Sequence, residues 1–260
     1  MSFERLRLIG MVHLPALPGS PGSALPMQRI IDGAVDEARL LAEAGFEAVI
    51  VENFGDAPFS AEEACRETVA SMAVVVDHVA RSVNVMVGVN VLRNDALSGL
   101  AVAAVSGAAF IRVNVLSGVY ATDQGMLTGQ PRRLSERRAA VSPAVKIAAD
   151  VHVKHAQPIS QPNIALAAEE TAYRAQADAL IVSGAATGRA VDLESVRRVA
   201  QAVPDRPLWI GSGVTPETVK ACLDVADAVI VGSCLKTDGK ATSPLDAGRV
   251  KSFMAAARGG

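Results

Sequence analysis

Eight short runs rich in β-branched and aliphatic residues recur along the chain: Leu6 to Leu14, Ala48 to Phe54, Val83 to Asn90, Ala109 to Leu116, Lys146 to His155, Ala179 to Gly184, Pro207 to Gly213 and Ala228 to Cys234. Each reads as a strand, and helical patterns lie between them. The clearest are Arg29 to Ala44 closed by Gly45, Glu62 to Ala80, Asp192 to Ala202, and Thr218 to Leu223 entered through Thr215 as N-cap and Pro216 in the first turn. Eight alternating βα units in 260 residues predict an α/β protein of the (β/α)8 TIM-barrel type rather than an open sheet. No linker divides the chain, so residues 1–260 are expected to form a single barrel domain.

Half of the residues are apolar, enough for one large core, and with aromatics at 3% the filling falls to Ala, Val, Leu and Ile. A formal charge of −2 and the lack of a broad basic tract argue against nucleic acid as a partner. Arg132-Arg133 with Arg137-Arg138 reads as a solvated helix face. Met1 to Arg7 is charged but is followed by no adequate signal-peptide core, since Pro15 and Pro18 interrupt the apolar stretch. No run is long enough to span a bilayer. Cys65, Cys222 and Cys234 are odd in number and lack metal-type spacing, which predicts free thiols in a reducing compartment, the cytoplasm.

Barrel enzymes carry their chemistry where strands run out into βα loops. Strand one ends in His13 and a Pro- and Gly-rich loop, strand two in Glu52-Asn53, strand three in Asn90, and strand four in Arg112-Val-Asn114. The fifth run ends in Asp150-Val-His152-Val-Lys154-His155, where alternation predicts that Asp150, His152 and Lys154 project to one side. Charged groups crowded on the inner face of a strand are costly unless paired, bound to metal or engaged with a ligand. Glu52, Asp150, His152, Lys154 and His13 are therefore the candidate catalytic groups, with Asn90, Arg112 and Asn114 beside them as substrate contacts. The competing reading of the trio is an internal salt-bridge cluster. A divalent metal ion is a possible cofactor, with Glu52, Asp150 and His152 as candidate ligands. His78, on a helix, reads as structural.

Two further stretches suggest ligand contacts. Gly211-Ser212-Gly213 closes the seventh run and Gly232-Ser233 lies at the end of the eighth, the place where barrels of this type recurrently bind phosphate. The competing reading is that these glycines only permit tight turns. Ser183-Gly184 and the residues to Gly188 can extend that site or cover it as a flap. Ser117 to Gln130 is too long for an ordinary βα turn, so Asp123 and Gln124 are expected to reach a ligand, unless the loop serves an oligomer contact.

Six segments together resemble the signatures of one family. They are Gly10-Met-Val-His-Leu-Pro-Ala-Leu-Pro-Gly-Ser-Pro21, Val51-Glu-Asn-Phe-Gly-Asp56, Thr122-Asp-Gln-Gly125, Ala149-Asp-Val-His-Val-Lys-His155, Gly211-Ser-Gly-Val-Thr-Pro216 and Lys236-Thr-Asp-Gly239. The chain resembles the BtpA family across almost its whole length, with one departure: Ser243 stands before Pro244 where the family pattern leads one to expect Asn. The His-Leu-Pro-x-Leu-Pro-Gly opening is the most specific of the six. The resemblance implies a ribulose-phosphate-binding-like barrel, in a family known in cyanobacteria for photosystem I accumulation and also as SgcQ-type proteins of bacterial carbohydrate operons. It implies no settled reaction.

Two functions are then in play. One is an enzyme of isomerase or lyase type on a small phosphorylated metabolite, a sugar phosphate or nucleotide-like compound. Lys154 would act there as a Schiff-base nucleophile or as an electrostatic partner of an enediolate. The other is a non-catalytic assembly or regulatory factor. The fold raises the expectation of a homo-oligomer in either case.

Overall fold

The computed structural model of the protein describes residues 2–184 and 191–259. Eight parallel strands close into a barrel: β1 (Leu8–His13), β2 (Ala48–Glu52), β3 (Met86–Asn90), β4 (Phe110–Val113), β7 (Lys146–Val151), β9 (Ala179–Ser183), β10 (Leu208–Gly211) and β11 (Ala228–Val231). Around the ring the order is β1-β11-β10-β9-β7-β4-β3-β2. Three further strands, β5 (Val119–Thr122), β6 (Gly125–Thr128) and β8 (Ala156–Pro158), form a small antiparallel sheet in the order β6-β5-β8. The helices are α1 (Met27–Ala44), α2 (Arg66–Ser82), α3 (Ala96–Ser106), α4 (Pro131–Val141), α5 (Ile164–Glu169), α6 (Leu193–Ala202), α7 (Val219–Leu223) and α8 (Ala247–Arg258). Among the described residues no helix is long and apolar enough to cross a membrane.

Strand alternation divides the core in two. Leu8 and Val12 of β1, and Val49 and Val51 of β2, pack outward with the apolar faces of α1 and α2. Ile9, Met11, Ala48, Ile50, Phe110, Ala148, Ile181, Trp209 and Ile230 point inward and fill the barrel. Phe3, in the turn that precedes β1, closes the lower end: its ring lies 5.1 Å from that of Trp209 and 5.6 Å from that of Phe110. These three rings meet edge-on or tilted in one place. Small residues make room for them. A Cβ on Gly88 would sit 2.3 Å from the Phe110 ring, and one on Gly10 would sit 2.7 Å from Leu41 of α1.

Helix ends follow their local chemistry. Asp192 caps α6 by accepting from the Glu194 and Ser195 amides, and Gly45 ends α1 in a left-handed conformation. The seventh helix begins later than its sequence suggests: Thr218 stands at its N-cap, and Thr215 instead accepts the first turn's amides through its carbonyl. The fifth run also divides. Its strand stops at Val151, because His152 takes φ +52°, and the chain then turns into β8.

Gly88→Ala should destabilise the barrel by about 1–3 kcal/mol, since the Phe110 ring has nowhere to retreat. Urea denaturation checks this, and Gly33→Ala, on an α1 position with open space around it, should be neutral or stabilising.

Candidate functional site

The alternation that fills the barrel with apolar groups places polar ones at its upper end. Continuing inward positions past Met11, Ile50 and Gly88 gives His13, Glu52 and Asn90, which lie in register across β1, β2 and β3. The same rule gives Arg112 after Phe110, Asp150 after Ala148 and Ser183 after Ile181. Glu52, Asn90, Arg112, Asn114 and Asp150 are all buried.

Arg112 and Asp150 form a two-pronged ion pair, with Nε and Nη2 each donating at 2.9 Å to a different carboxylate oxygen. Asn114 donates a third bond to Asp150 at 3.0 Å, and Asn90 donates to Asn114 Oδ1 and to the Arg112 carbonyl. Although burial opposes it, the Asp150 charge and hydrogen bonds hold the Arg112 pKa above its ordinary value. For Asp150 the arrangement matches the internal salt-bridge reading, with its carboxylate occupied by three donors.

His13 and Glu52 are differently placed. His13 Nε2 lies 3.7 Å from Glu52 Oε1, its Nδ1 is buried without a partner among the described residues, and its ring packs on Phe54 at 4.9 Å. Burial, with Lys236, Lys154 and Arg112 nearby, drives the imidazole pKa well below its usual value, so His13 is neutral. Gly232 makes that seat possible: a Cβ there would come within 2.8 Å of the His13 ring. Lys236 is itself held by Glu37 of α1, both of whose oxygens lie 2.6 Å from its Nζ.

A cavity of about 580 Å³ opens between the strand ends, lined by Glu52, Arg93, Arg112, Asn114 and Lys154 among others. Lys154 makes no ion pair within 4.0 Å among the described residues. Burial pulls its ammonium below the ordinary lysine range; Glu52 and Asp150 oppose this, while Arg112 and Arg93 add to it. Asp123 and Gln124 complete the lining from above. The long segment expected as a loop is the β5–β6 hairpin, turned at Gly125 with φ +111° and braced by β8, so its tip reaches the cavity.

The expectation for His152 fails. Its positive φ breaks the two-residue alternation, its Nε2 lies 2.8 Å from the Gln161 carbonyl, and its ring sits against Tyr120. It therefore supports the small sheet rather than joining Asp150 and Lys154. His155, exposed, lines the cavity instead. The proposed metal ligands likewise do not meet: among the described residues no group of three or more His, Cys, Asp or Glu has metal-holding geometry.

The glycine loops occupy the β10 and β11 ends. Ser212 and Gly213 both take positive φ, +73° and +70°, and Ser233 opens a single tight turn. No helix opens directly at the β10 loop, since α7 starts at Val219 and has five residues. Any anion there would meet loop amides. Ser183 Oγ accepts from the Lys154 amide at 3.2 Å, Gly184 is buried, and the rest of the expected flap, 185–188, lies outside the described residues.

Sequence reading missed three groups. Arg93, buried, donates from Nη2 to the Lys154 carbonyl at 2.8 Å. Asn53 and Asp56 bind one another, and Asp56 accepts from the Leu17 amide at 2.7 Å, pinning the Pro-rich first loop. The signals were present: a charge in the apolar Asn90-Val-Leu-Arg93 stretch, and the polar ends of Glu52-Asn-Phe-Gly-Asp56.

Comparison with known proteins follows the same outline. The sequence profile of the BtpA family matches residues 4–259. An uncharacterized protein of Methanocaldococcus jannaschii is 43% identical over 97% of this chain and 95% of its own length. The photosystem I biogenesis protein BtpA of Synechocystis is also 43% identical, over 96% of this chain and 87% of its own. Among solved structures, phosphoribosylanthranilate isomerase of Thermotoga maritima superposes with a TM-score of 0.59 at 15% identity, covering 98% of this chain and 99% of that one, a likeness of fold.

Two measurements probe this site. Asp150→Ala should cost about 3–5 kcal/mol in urea denaturation, because Arg112 is left buried without its counter-charge. The neutral His13 sets a pH dependence: the unfolded chain takes up a proton near the ordinary value of 6.5 and the folded one does not. Stability should therefore fall as pH drops below that value, and His13→Gln should make the fall shallower.

Proposed function

The chain belongs to the BtpA family, and from the geometry of its barrel mouth we propose that it is an enzyme of isomerase or lyase type acting on a small phosphorylated metabolite, a sugar phosphate or nucleotide-like compound. One observation carries this reading. A carboxylate and an ammonium, Glu52 and Lys154, line the same cavity, and neither forms an ion pair with an opposite charge within 4.0 Å among the described residues. A scaffold gains nothing by holding a buried carboxylate and a half-buried ammonium unpaired in one cavity.

The chemistry that uses them is proton abstraction beside a carbonyl. Glu52 takes the proton from the carbon next to the carbonyl, and the electron pair moves onto the carbonyl oxygen. Lys154 stabilises the charge that develops there. Neutral His13, against Glu52, can accept a hydrogen bond or pass the proton on without adding charge. Lys154 also suits a lyase. Burial, with the Arg112 and Arg93 guanidiniums, pulls its ammonium down against Glu52 and Asp150, so the amine form needed for a Schiff base is more accessible.

Ser212, Gly213, Gly232 and Ser233, with Ser183 and Gly184 beside them, would hold the phosphate. The support is the place of the first four at the ends of β10 and β11, the seventh and eighth barrel strands, where barrels of this fold bind phosphate, with Ser183 and Gly184 at the end of the adjacent β9. The Thermotoga maritima barrel bears the name of a phosphoribosyl-compound isomerase. Free Cys65, Cys222 and Cys234 fit a reducing cytoplasm.

A second reading, an assembly factor, rests on the name of the Synechocystis relative. Identity does not single it out, because the Methanocaldococcus jannaschii protein matches equally well.

Thermal-shift screening against sugar phosphates and nucleotides should raise the melting midpoint with phosphorylated members and not with their dephosphorylated analogues. With a ligand so found, incubation in deuterium oxide should label its carbon next to the carbonyl, and Glu52→Gln should slow labelling roughly 10²–10⁴-fold. Binding without exchange, equal in both variants, would favour the assembly reading. Borohydride trapping then separates the two roles of Lys154: mass added at Lys154 marks the Schiff base, and partial activity in Lys154→Arg without trapping marks the electrostatic role.

A further inference from the structure

Arg93 is the charge in the mouth for which the proposed reaction has no use. It is 5% exposed, and its one hydrogen bond among the described residues goes from Nη2 to the neutral Lys154 carbonyl. No carboxylate lies within 4.0 Å of it among those residues. A neutral donor would hold that carbonyl as well, without the cost of a buried guanidinium. Arg93 also stands beside a second cation, since Lys154 lines the same cavity, with the His155 imidazole next to them. Burial depresses all three pKa values, and Arg93 pushes down those of both neighbours, while Asp150 and Asp123 act on Arg93 only from beyond ion-pairing distance. Such a cluster is relieved by an incoming anion.

Its place in the ring decides what that anion belongs to. Arg93 follows β3, and in the order β1-β11-β10-β9-β7-β4-β3-β2 the strand diametrically across from β3 is β10, which ends in the Gly211-Ser212-Gly213 loop. A ligand with its phosphate at that loop extends across the mouth toward Arg93. We propose, resting on the phosphate reading above, that Arg93 anchors a second anionic group, so that the substrate is a small compound anionic at both ends: phosphate at one, and carboxylate or a second phosphate at the other. Glu52 and Lys154 then face the carbons between the two anchors.

Sulfate soaks of crystals test the two anchors separately. Two sulfates are expected, one at Ser212, Gly213 and Ser233 and one on Arg93. A single sulfate at the glycine loops overturns the second anchor and leaves the phosphate reading standing; a single sulfate on Arg93, or none, overturns the phosphate reading. Calorimetry with ribose 5-phosphate, ribulose 1,5-bisphosphate and 6-phosphogluconate then reads the substrate class. At least one of the two-ended compounds should bind tenfold or more tightly than ribose 5-phosphate, and which one does identifies the second group. Arg93→Gln should remove that advantage, a loss of roughly 10–100-fold, while leaving ribose 5-phosphate binding within a few-fold; Arg93→Lys should keep part of it. Equal affinity for all three compounds, no binding by any of them, or an equal loss for all three in Arg93→Gln with the fold intact by circular dichroism, overturns the proposal.

Discussion

The mouth of the barrel depends on the buried fork between Arg112 and Asp150. Two inward-facing charges on neighbouring strands, β4 and β7, could each have destroyed a closed apolar barrel, and together they neutralise one another with two parallel hydrogen bonds of 2.9 Å. The pair remains expensive to desolvate, and Asn114 completes it with a third bond to Asp150, itself held by Asn90. Its value is positional. It forms a rigid polar floor above Phe110 and Trp209, and it settles the charge of the central layer so that groups around its edge can remain unpaired.

That floor explains why Glu52, Lys154 and Arg93 differ in kind from the charges beneath them. Asp150 has spent its charge on Arg112, so it offers Lys154 only a residual field across the mouth. His13 is neutral and gives Glu52 no counter-charge. The unpaired groups are also held by their neighbours at the mouth. Lys154 is fixed at both backbone atoms, its amide by Ser183 Oγ and its carbonyl by Arg93. Glu37 and Lys236 tie α1 to the exit of β11, next to the Gly232 position on which the His13 ring rests. Lys236 belongs to a family signature, and its part here is to stay buried and paired.

The sequence disclosed the barrel because the periodicity that identifies strands is the periodicity that closes the fold. The parity of Ile9, Met11 and His13, or of Ala48, Ile50 and Glu52, can be counted in the primary structure and is what the structure contains. His152 shows where counting ends. Alternation holds only while the backbone stays extended, and one residue at φ +52° removes it from the row, a conformation nothing in Asp-Val-His-Val-Lys announces. Antiparallel pairing of β5 with β8 joins residues 119–122 to 156–158, and so distant a contact leaves no local trace. Arg93 escaped notice for a related reason. It lies beyond its strand, where inward and outward no longer follow from parity.

Lys154 reaches the cavity even though the alternation that predicted it has already failed at His152. Its position is therefore not a property of the strand. It comes from the turn between β7 and β8, whose conformation is set by the hairpin above, the Arg93 guanidinium and Ser183. A lysine mounted this way is coupled to the hairpin tip: β8 begins two residues after it, pairs with β5, and so connects Lys154 to Asp123 and Gln124. The turn that holds Asp123 and Gln124 and the turn that holds Lys154 are thus joined through one small sheet. The position of Lys154 therefore rests on the same strand pairing that positions the hairpin tip.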